Sequence, residues 1–459
     1  MRGLQLPRGA YPTRVRASRC ILSFMDRRAL LLAAALIIPG AFPASALQAG
    51  GRTSALGTPA RMLIVDIDDV GFDLLRETPT PTLDALERGG RLFTSFTTAP
   101  TCSPTRAMFH TGARCSNPDL LVGQIFNAST TEVMPTAPLV PLPKLLSDAG
   151  YTTSKIGKWH LSGYANPDHP RDCGYDHYSG HISNVRSVAS ETYWEYPKVV
   201  DGTVFVKAPR PYITTAETDD ALFAVRSGVE FVSLSYHAPH GPWHEPPAHL
   251  HTQVNLGNDR ERTRAMLEAV DTELRRLLAE ALPLGYTVVV FADNGTASQV
   301  GGQKATMYDG GVICPLWVFG PGVSSGIDAN PVGAVDLYAT VALWFGVPAG
   351  SGSGDPTRGP DSRSFLPAWR GFDIARRWTY AERFRQLGEN PRTSGAQWRR
   401  MVRSRRYKLV HDDDFVGQRR FHDLLTDPDE TVNLLDPGTV LEPTALLAKR
   451  TFEYVLGRL

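Results

Sequence analysis

Two short apolar runs constrain this chain more than any other feature. One is MLIVDI, within residues 61–67, and the other is YTVVVFA, 286–292. Apart from Asp66, neither offers a polar face. Runs of this length and composition read as strands buried on both sides, which requires helices above and below the sheet. The rest of the pattern agrees. Helices are expected over 79–88, 103–110, Leu142–Asp148, 218–229 and 260–282. Strands are expected over 151–156 and 231–236, and a hairpin over 193–207 turning at Asp201-Gly202. This alternation predicts an α/β fold with a large, mostly parallel sheet sandwiched by helices. Past a Gly/Ser/Pro stretch at 349–360, short strands at 378–382, 407–411 and 421–424 precede a helix over 443–456. They predict a smaller C-terminal α+β subdomain with a short antiparallel sheet. The expected division is a main domain at 60–348 and a C-terminal subdomain at 360–459.

With 459 residues the chain can bury a large core, and its net charge of +1 argues against nucleic acid as a partner. Five cysteines rule out a disulfide-built scaffold. Residues 29–38 are continuously apolar, follow Arg27-Arg28 and precede Ala44-Ser45-Ala46. That is the layout of a signal peptide, too short for a stable membrane span. Residues 1–46 therefore read as a signal region cleaved near Ala46, with Met25 a second candidate for the start. The expected destination is the periplasm or the medium, and the arginine pair permits a twin-arginine route.

Each apolar run ends in oxygen donors: Asp68 and Asp69 after the first, Asp293 and Asn294 after the second. Ligands of α/β sheets bind beyond the carboxyl ends of strands, so the two clusters point to one shared site. Hard oxygen donors favour Ca²⁺ or Mg²⁺ over zinc or copper. In Cys102-Ser103-Pro104-Thr105-Arg106, a helix opened by Pro104 places Cys102 at its N-terminus and Arg106 on the same face. That arrangement suits an anion, although a structural cysteine or a disulfide to Cys115, Cys173 or Cys314 also fits. A cysteine phosphatase does not, because it needs five residues between Cys and Arg. In Gly157-Lys158-Trp159-His160, Lys158 and His160 share one side of an extended segment. His240, bracketed by Pro239 and Pro242, suits a fixed general acid. His237 and His244 flank it without forming a zinc-protease motif. Lys304 follows Asn294 in a Gly-rich loop.

Taken together these segments resemble the type I sulfatases of the alkaline phosphatase superfamily. The resemblance runs in order through DDVG (68–71), CSPTR (102–106), GYTTSKIGKWH (150–160), YHAPHGP (236–242), ADNG (292–295) and KATMYDGG (304–311). It continues through DLYATVALWFGVP (336–348), RRYKLV (405–410) and FHDLLTDPDETVNLL (421–435). It implies an alkaline-phosphatase-like fold and conversion of Cys102 to formylglycine by a formylglycine-generating enzyme. One hydroxyl of the hydrated aldehyde attacks sulfur and the other later expels sulfate. The resemblance further implies that Asp68, Asp69, Asp293, Asn294 and modified Cys102 hold a divalent cation, Ca²⁺ or else Mg²⁺. Arg106 would fix the diol and support the carboxylates. Asp293 would also accept the attacking hydroxyl's proton. Lys158 and Lys304 would bind sulfate oxygens, His240 with Lys304 would protonate the leaving oxygen, and His160 would take the proton released on collapse.

Thr105 stands where the family often has serine, and Val-Ile follows YDGG where an arginine is more usual. Ser183 is a candidate for the family's sulfate-touching serine. The implied activity is sulfate-ester hydrolysis, with a sulfated saccharide or small molecule as substrate; residues 163–200, rich in aromatics, are expected to contribute to the alcohol pocket, and a core or hairpin role fits those aromatics equally well. Two other readings are a phosphonate monoester or phosphodiester hydrolase of the same superfamily and a non-catalytic anion-binding relative.

Overall fold

The computed structural model describes residues 52–185, 190–347, 361–385, 387–393, 397–412 and 418–458. The expected signal region and the 349–360 stretch lie outside them. In chain order the strands of the large sheet are β1 (Met62–Ile67), β2 (Arg91–Thr97), β3 (Thr153–Lys158), β4 (His177–His181), β5 (Glu195–Val200), β6 (Thr203–Pro209), β7 (Phe231–Tyr236), β8 (Thr287–Ala292), β9 (Ile313–Phe319), β10 (Gly326–Asp328) and β11 (Val332–Gly333). Their spatial order is β10-β2-β9-β8-β1-β7-β3-β4-β5-β6, with β11 also pairing β2. The sheet is mixed, because β9 runs antiparallel to β2 and β8 and β5 runs antiparallel to β4 and β6. Its centre is the expected parallel core: β8, β1, β7 and β3 are adjacent and parallel, and every residue in them is buried.

Register places the chemistry. Ile67 pairs with Ala292, so Asp68-Asp69 and Asp293-Asn294 leave the sheet side by side. Ile67 also pairs with Tyr236, and Gly157 with Ser235, so His240 and Lys158 emerge at the same edge. The expected helices form, Leu142–Asp148 with the expected bounds and the others with shifted ends. The 23-residue helix Asp259–Ala281 starts with a capping box from Asn258 and Glu261. The hairpin turns at Asp201-Gly202, where φ is 46° and 78°.

β12 (Thr379–Phe384), β13 (Trp398–Arg403), β14 (Tyr407–Asp412) and β15 (Gln418–Asp423) form the separate antiparallel sheet. Alternation gives it two apolar faces. Val402, Leu409 and Phe421 pack on the helix Pro443–Arg458 through Phe452, Val455 and Leu456. Ala381, Met401 and Val410 pack on Met307, Val312 and Ile313, which close the loop carrying Lys304. No helix among the described residues is long and apolar enough to cross a membrane.

Candidate active site

Cys102 is the first residue of the helix Cys102–Thr111, all of it buried, which ends on Gly112 in the left-handed region. Thr105 explains how the turn before this helix is set: its Oγ1 accepts from Ala99 N at 2.9 Å. Ser103 Oγ donates to His160 O at 2.6 Å and accepts from Phe126 N at 3.1 Å. The Cys102 thiol lies 3.2 Å from Asp68 Oδ1 and 3.4 Å from Lys304 Nζ. The four described cysteines are buried and free, so the disulfide reading finds no support among them.

Around Cys102 the structure gathers the expected donors. Ligand atoms of Asp68, Asp69, Cys102 and Asp293 lie within 4.8 Å of one another. Asn294 Nδ2 donates to Asp69 Oδ1 at 2.7 Å, while its buried Oδ1 has no hydrogen-bond partner. A buried carbonyl oxygen without a donor, beside three carboxylates, fits a hard cation.

The cationic groups stand in the same shell. Lys158 Nζ reaches Asp68 Oδ2, and Lys304 Nζ reaches Asp69 Oδ1. Arg106 grips Asp293 Oδ2 through Nε at 3.1 Å and Nη2 at 2.9 Å. Burial alone would raise Asp68, but Lys158, then His240, Lys304 and Arg106, hold it well below the usual carboxylate range. Burial works against the charge of Lys304, yet Asp69 and Cys102 outweigh it and hold the ammonium well above its ordinary range. Burial, with Asp293 and Asp68, pushes the Cys102 thiol far up, so the thiolate is disfavoured.

Burial lowers His240 from its ordinary range, though Asp69 and Asp68 pull the other way and favour the protonated ring. Its Nδ1 is 2.8 Å from Gly241 O, which leaves Nε2 as the other ring nitrogen. Tyr193 Oη, donating to His240 O at 2.5 Å, fixes the loop. His160 is fully buried, and neither ring nitrogen has a hydrogen-bond partner. Burial, then Lys158 and Arg106, hold it well below its usual range. Asp69, His160 and Ala305 all have φ between 60° and 70°, so three turns bordering the site sit in the left-handed region. The small sheet supports one of them, since Arg383 Nη1 donates to Ala305 O at 3.1 Å.

A cleft of about 660 Å³ opens over Cys102, Asp69, His240 and Lys304. Its outer wall includes Trp243, Asn184, Val185, Asp259 and Gln299. Residues 163–200 reach the cleft through Asn184 and Val185, while Tyr175, Tyr178 and Tyr193 take the packing role instead. Tyr175 stacks on Phe231, Tyr178 is buried beside Trp159, and Tyr193 stacks on Tyr212. Ser183 is buried behind the wall, where its carbonyl accepts from His181 and His237, while the next two residues face the cleft. Trp243 went unread because one tryptophan after PHGP has no periodicity to mark it.

Burial and then Asp68 push Asp293 up to about 7, although Arg106 and Lys158 pull it down. A protonated carboxyl offers no anionic oxygen, so a cation must displace that proton. Divalent-cation affinity is therefore expected to fall about tenfold per pH unit below 7 and to level off above it. Calorimetry at pH 6 in buffers of different ionisation enthalpy should show close to one proton released per ion. Constant affinity from pH 5 to 8 would contradict this electrostatic picture.

Comparison with known proteins gives a consistent result. The Sulfatase family model matches residues 63–347. Mouse arylsulfatase J is 23% identical over 301 residues, covering 57% of this chain and 48% of its own length. Pig N-acetylgalactosamine-6-sulfatase is 28% identical over 370 residues, covering 70% of this chain and 68% of its own. The chain thus spans about half the length of the mouse relative and about two thirds of the pig one. A structure solved in complex with its substrate, D-glucosamine-2-N,6-O-disulfate, superposes with a TM-score of 0.67 at 18% identity. It covers 87% of this chain and 97% of that one, and shows the shared fold.

Proposed function

The chain belongs to the sulfatase family, and from that premise we propose that it is a sulfuric ester hydrolase releasing inorganic sulfate from a carbohydrate sulfate. The observation that carries this reading is the convergence of Cys102 with Asp68, Asp69 and Asp293 at the N-terminus of a buried helix. Cys102 is read as the site of formylglycine, made by a separate formylglycine-generating enzyme. An unmodified thiol held in its neutral form by burial is a poor nucleophile, which favours the modified residue. Asp68, Asp69, Asp293, Asn294 and the side chain at 102 are the residues that would hold a divalent cation, Ca²⁺ or else Mg²⁺. When bound, such an ion supplies Lewis-acid stabilisation and lowers the pKa of a coordinated hydroxyl.

The chain's own residues divide the remaining work. Lys158 and Lys304 bind sulfate oxygens, and because Lys304 stays firmly charged it serves the anion better than it serves proton transfer. Proton donation to the leaving oxygen is assigned to His240 in its protonated form, which Asp69 and Asp68 favour against burial, with Lys304 and Cys102 beside it in the cleft. His160, neutral and with both ring nitrogens unengaged, can accept the proton released when sulfate departs. Asp293 accepts the proton of the attacking hydroxyl, and Arg106 keeps its carboxylate in place. A saccharide is favoured by Trp243 on the cleft wall, by the cleft's size, and by the amino-sugar sulfates named for the pig relative and the solved structure. Export to the periplasm or the medium follows from the signal-like residues 1–46.

Protein produced with the maturation enzyme, assayed on a sugar sulfate, an aryl sulfate and an aryl phosphodiester, tests the reading. Sulfate release from both sulfates is expected, lost on chelation and restored by Ca²⁺. A phosphodiester turned over faster than either sulfate would overturn the proposed reaction, and full activity in chelator would overturn the cation site.

A further inference from the structure

Arg106 is shared between two carboxylates, and only one of them belongs to the cation cluster. Its Nη2 lies 2.9 Å from Asp293 Oδ2 and 2.9 Å from Asp66 Oδ1. Its Nη1 donates to Lys158 O at 3.2 Å. With Oδ2 given to the guanidinium, Asp293 turns Oδ1 towards the Asp69 backbone N, 3.4 Å away, at the edge of the cluster. Asp66 is tied from behind as well. Ser235 Oγ donates to Asp66 Oδ2 at 2.8 Å, and Lys155 Nζ donates to Ser235 Oγ. The strands enforce the arrangement: Asp66 pairs with Ser235 in the β1–β7 register, and Lys155 comes from β3 on the far side of β7. The side chains of Arg106, Asp293, Asp66, Ser235 and Lys155 are all buried.

We propose that Asp66 is a positioning residue that shares Arg106 with Asp293, and so aims Asp293 and strengthens divalent-cation binding. The inference rests on the cation-dependent reading of the site given above. Once Asp293 has lost its proton, Asp68, Asp69 and Asp293 carry three negative charges against the positive charges of Arg106, Lys158 and Lys304. Without Asp66 the guanidinium charge falls on Asp293 alone, the carboxylate a cation needs. A charge removed this close to a divalent ion, away from bulk water, weakens binding by about tenfold or more. The Asp66 tie through Ser235 and Lys155 runs across three neighbouring strands.

Asp66→Asn keeps the size of the side chain while removing the charge that faces Arg106. Calorimetric titration of the metal-free protein with Ca²⁺ should show about tenfold weaker binding than the wild type. Turnover should recover at raised Ca²⁺, and Asp66→Glu should regain part of the affinity. If Asp66→Asn does not fold, Ser235→Ala loosens the same tie and should weaken Ca²⁺ binding several-fold in the same assay. Wild-type affinity in whichever of these variants folds would overturn the inference while leaving the cation site intact. A wild-type protein that binds no divalent cation would instead overturn the reading of the site itself.

Discussion

Replacing Cys102 with alanine is expected to lower turnover by about four orders of magnitude or more while the protein stays folded. The side chain is 1% exposed, yet its polar neighbours are Asp68 and Lys304. Its position serves the site more than the packing of the sheet. Circular dichroism and the thermal unfolding temperature should stay close to wild type. Cys102→Ser separates the proposed chemistry from ordinary hydroxyl catalysis. In a host that converts only cysteine, serine has one hydroxyl. That hydroxyl can take the sulfuryl group from the ester, its proton going to the departing alcohol, but no second hydroxyl remains to expel sulfate. The expected result is at most one equivalent of alcohol released and a sulfated protein. Sustained turnover by the serine variant would remove the need for an aldehyde.

His240→Ala should separate substrates by their leaving groups. An activated phenol departs with little protonation, whereas a sugar alcohol needs a proton in the transition state. Loss of a general acid costs about 10²–10⁴-fold where protonation is required. The sugar sulfate should suffer that loss, and the activated aryl sulfate less than about tenfold, so the ratio of their kcat/KM values should shift by at least an order of magnitude. Lys304 should not cover the defect, because Asp69 and Cys102 hold its ammonium well above the ordinary lysine range. Equal losses on both substrates would make His240 a binding residue alone.

How much of this was readable in the sequence follows from what set each feature. That Asp68-Asp69 and Asp293-Asn294 meet was legible because strand-end position and strand register decide it, and both come from apolar runs. Cys102 and Arg106 were legible through helical spacing. β2 and β13 were not, because RLFTSFT and WRRMVR break the apolar pattern. Their arginines gain partners only in the fold: Arg91 pairs with Asp328, and Arg403 with Asp309. Lys304 stood out in the sequence only by its nearness to Asn294. Its placement depends on a loop held between the large sheet and the small one, a long-range contact that no local period encodes. The aromatic residues of 163–200 left two roles open, because core packing and sugar stacking draw on the same side chains, and Tyr175, Tyr178 and Tyr193 take the packing one. The side of the sheet that Asp66 faces is set by its pairing with Ser235, which turns it towards Arg106.

The most direct test is the mass of one peptide. Trypsin releases residues 92–106, which contain Cys102 and end at Arg106. In protein made alongside the maturation enzyme, this peptide should be lighter by the mass of H₂S less one oxygen atom. It should resist thiol alkylation and react with a hydrazide through its aldehyde. The converted fraction should track specific activity across preparations. An intact, alkylatable thiol at Cys102 in protein that turns over sulfate esters rapidly would contradict the account.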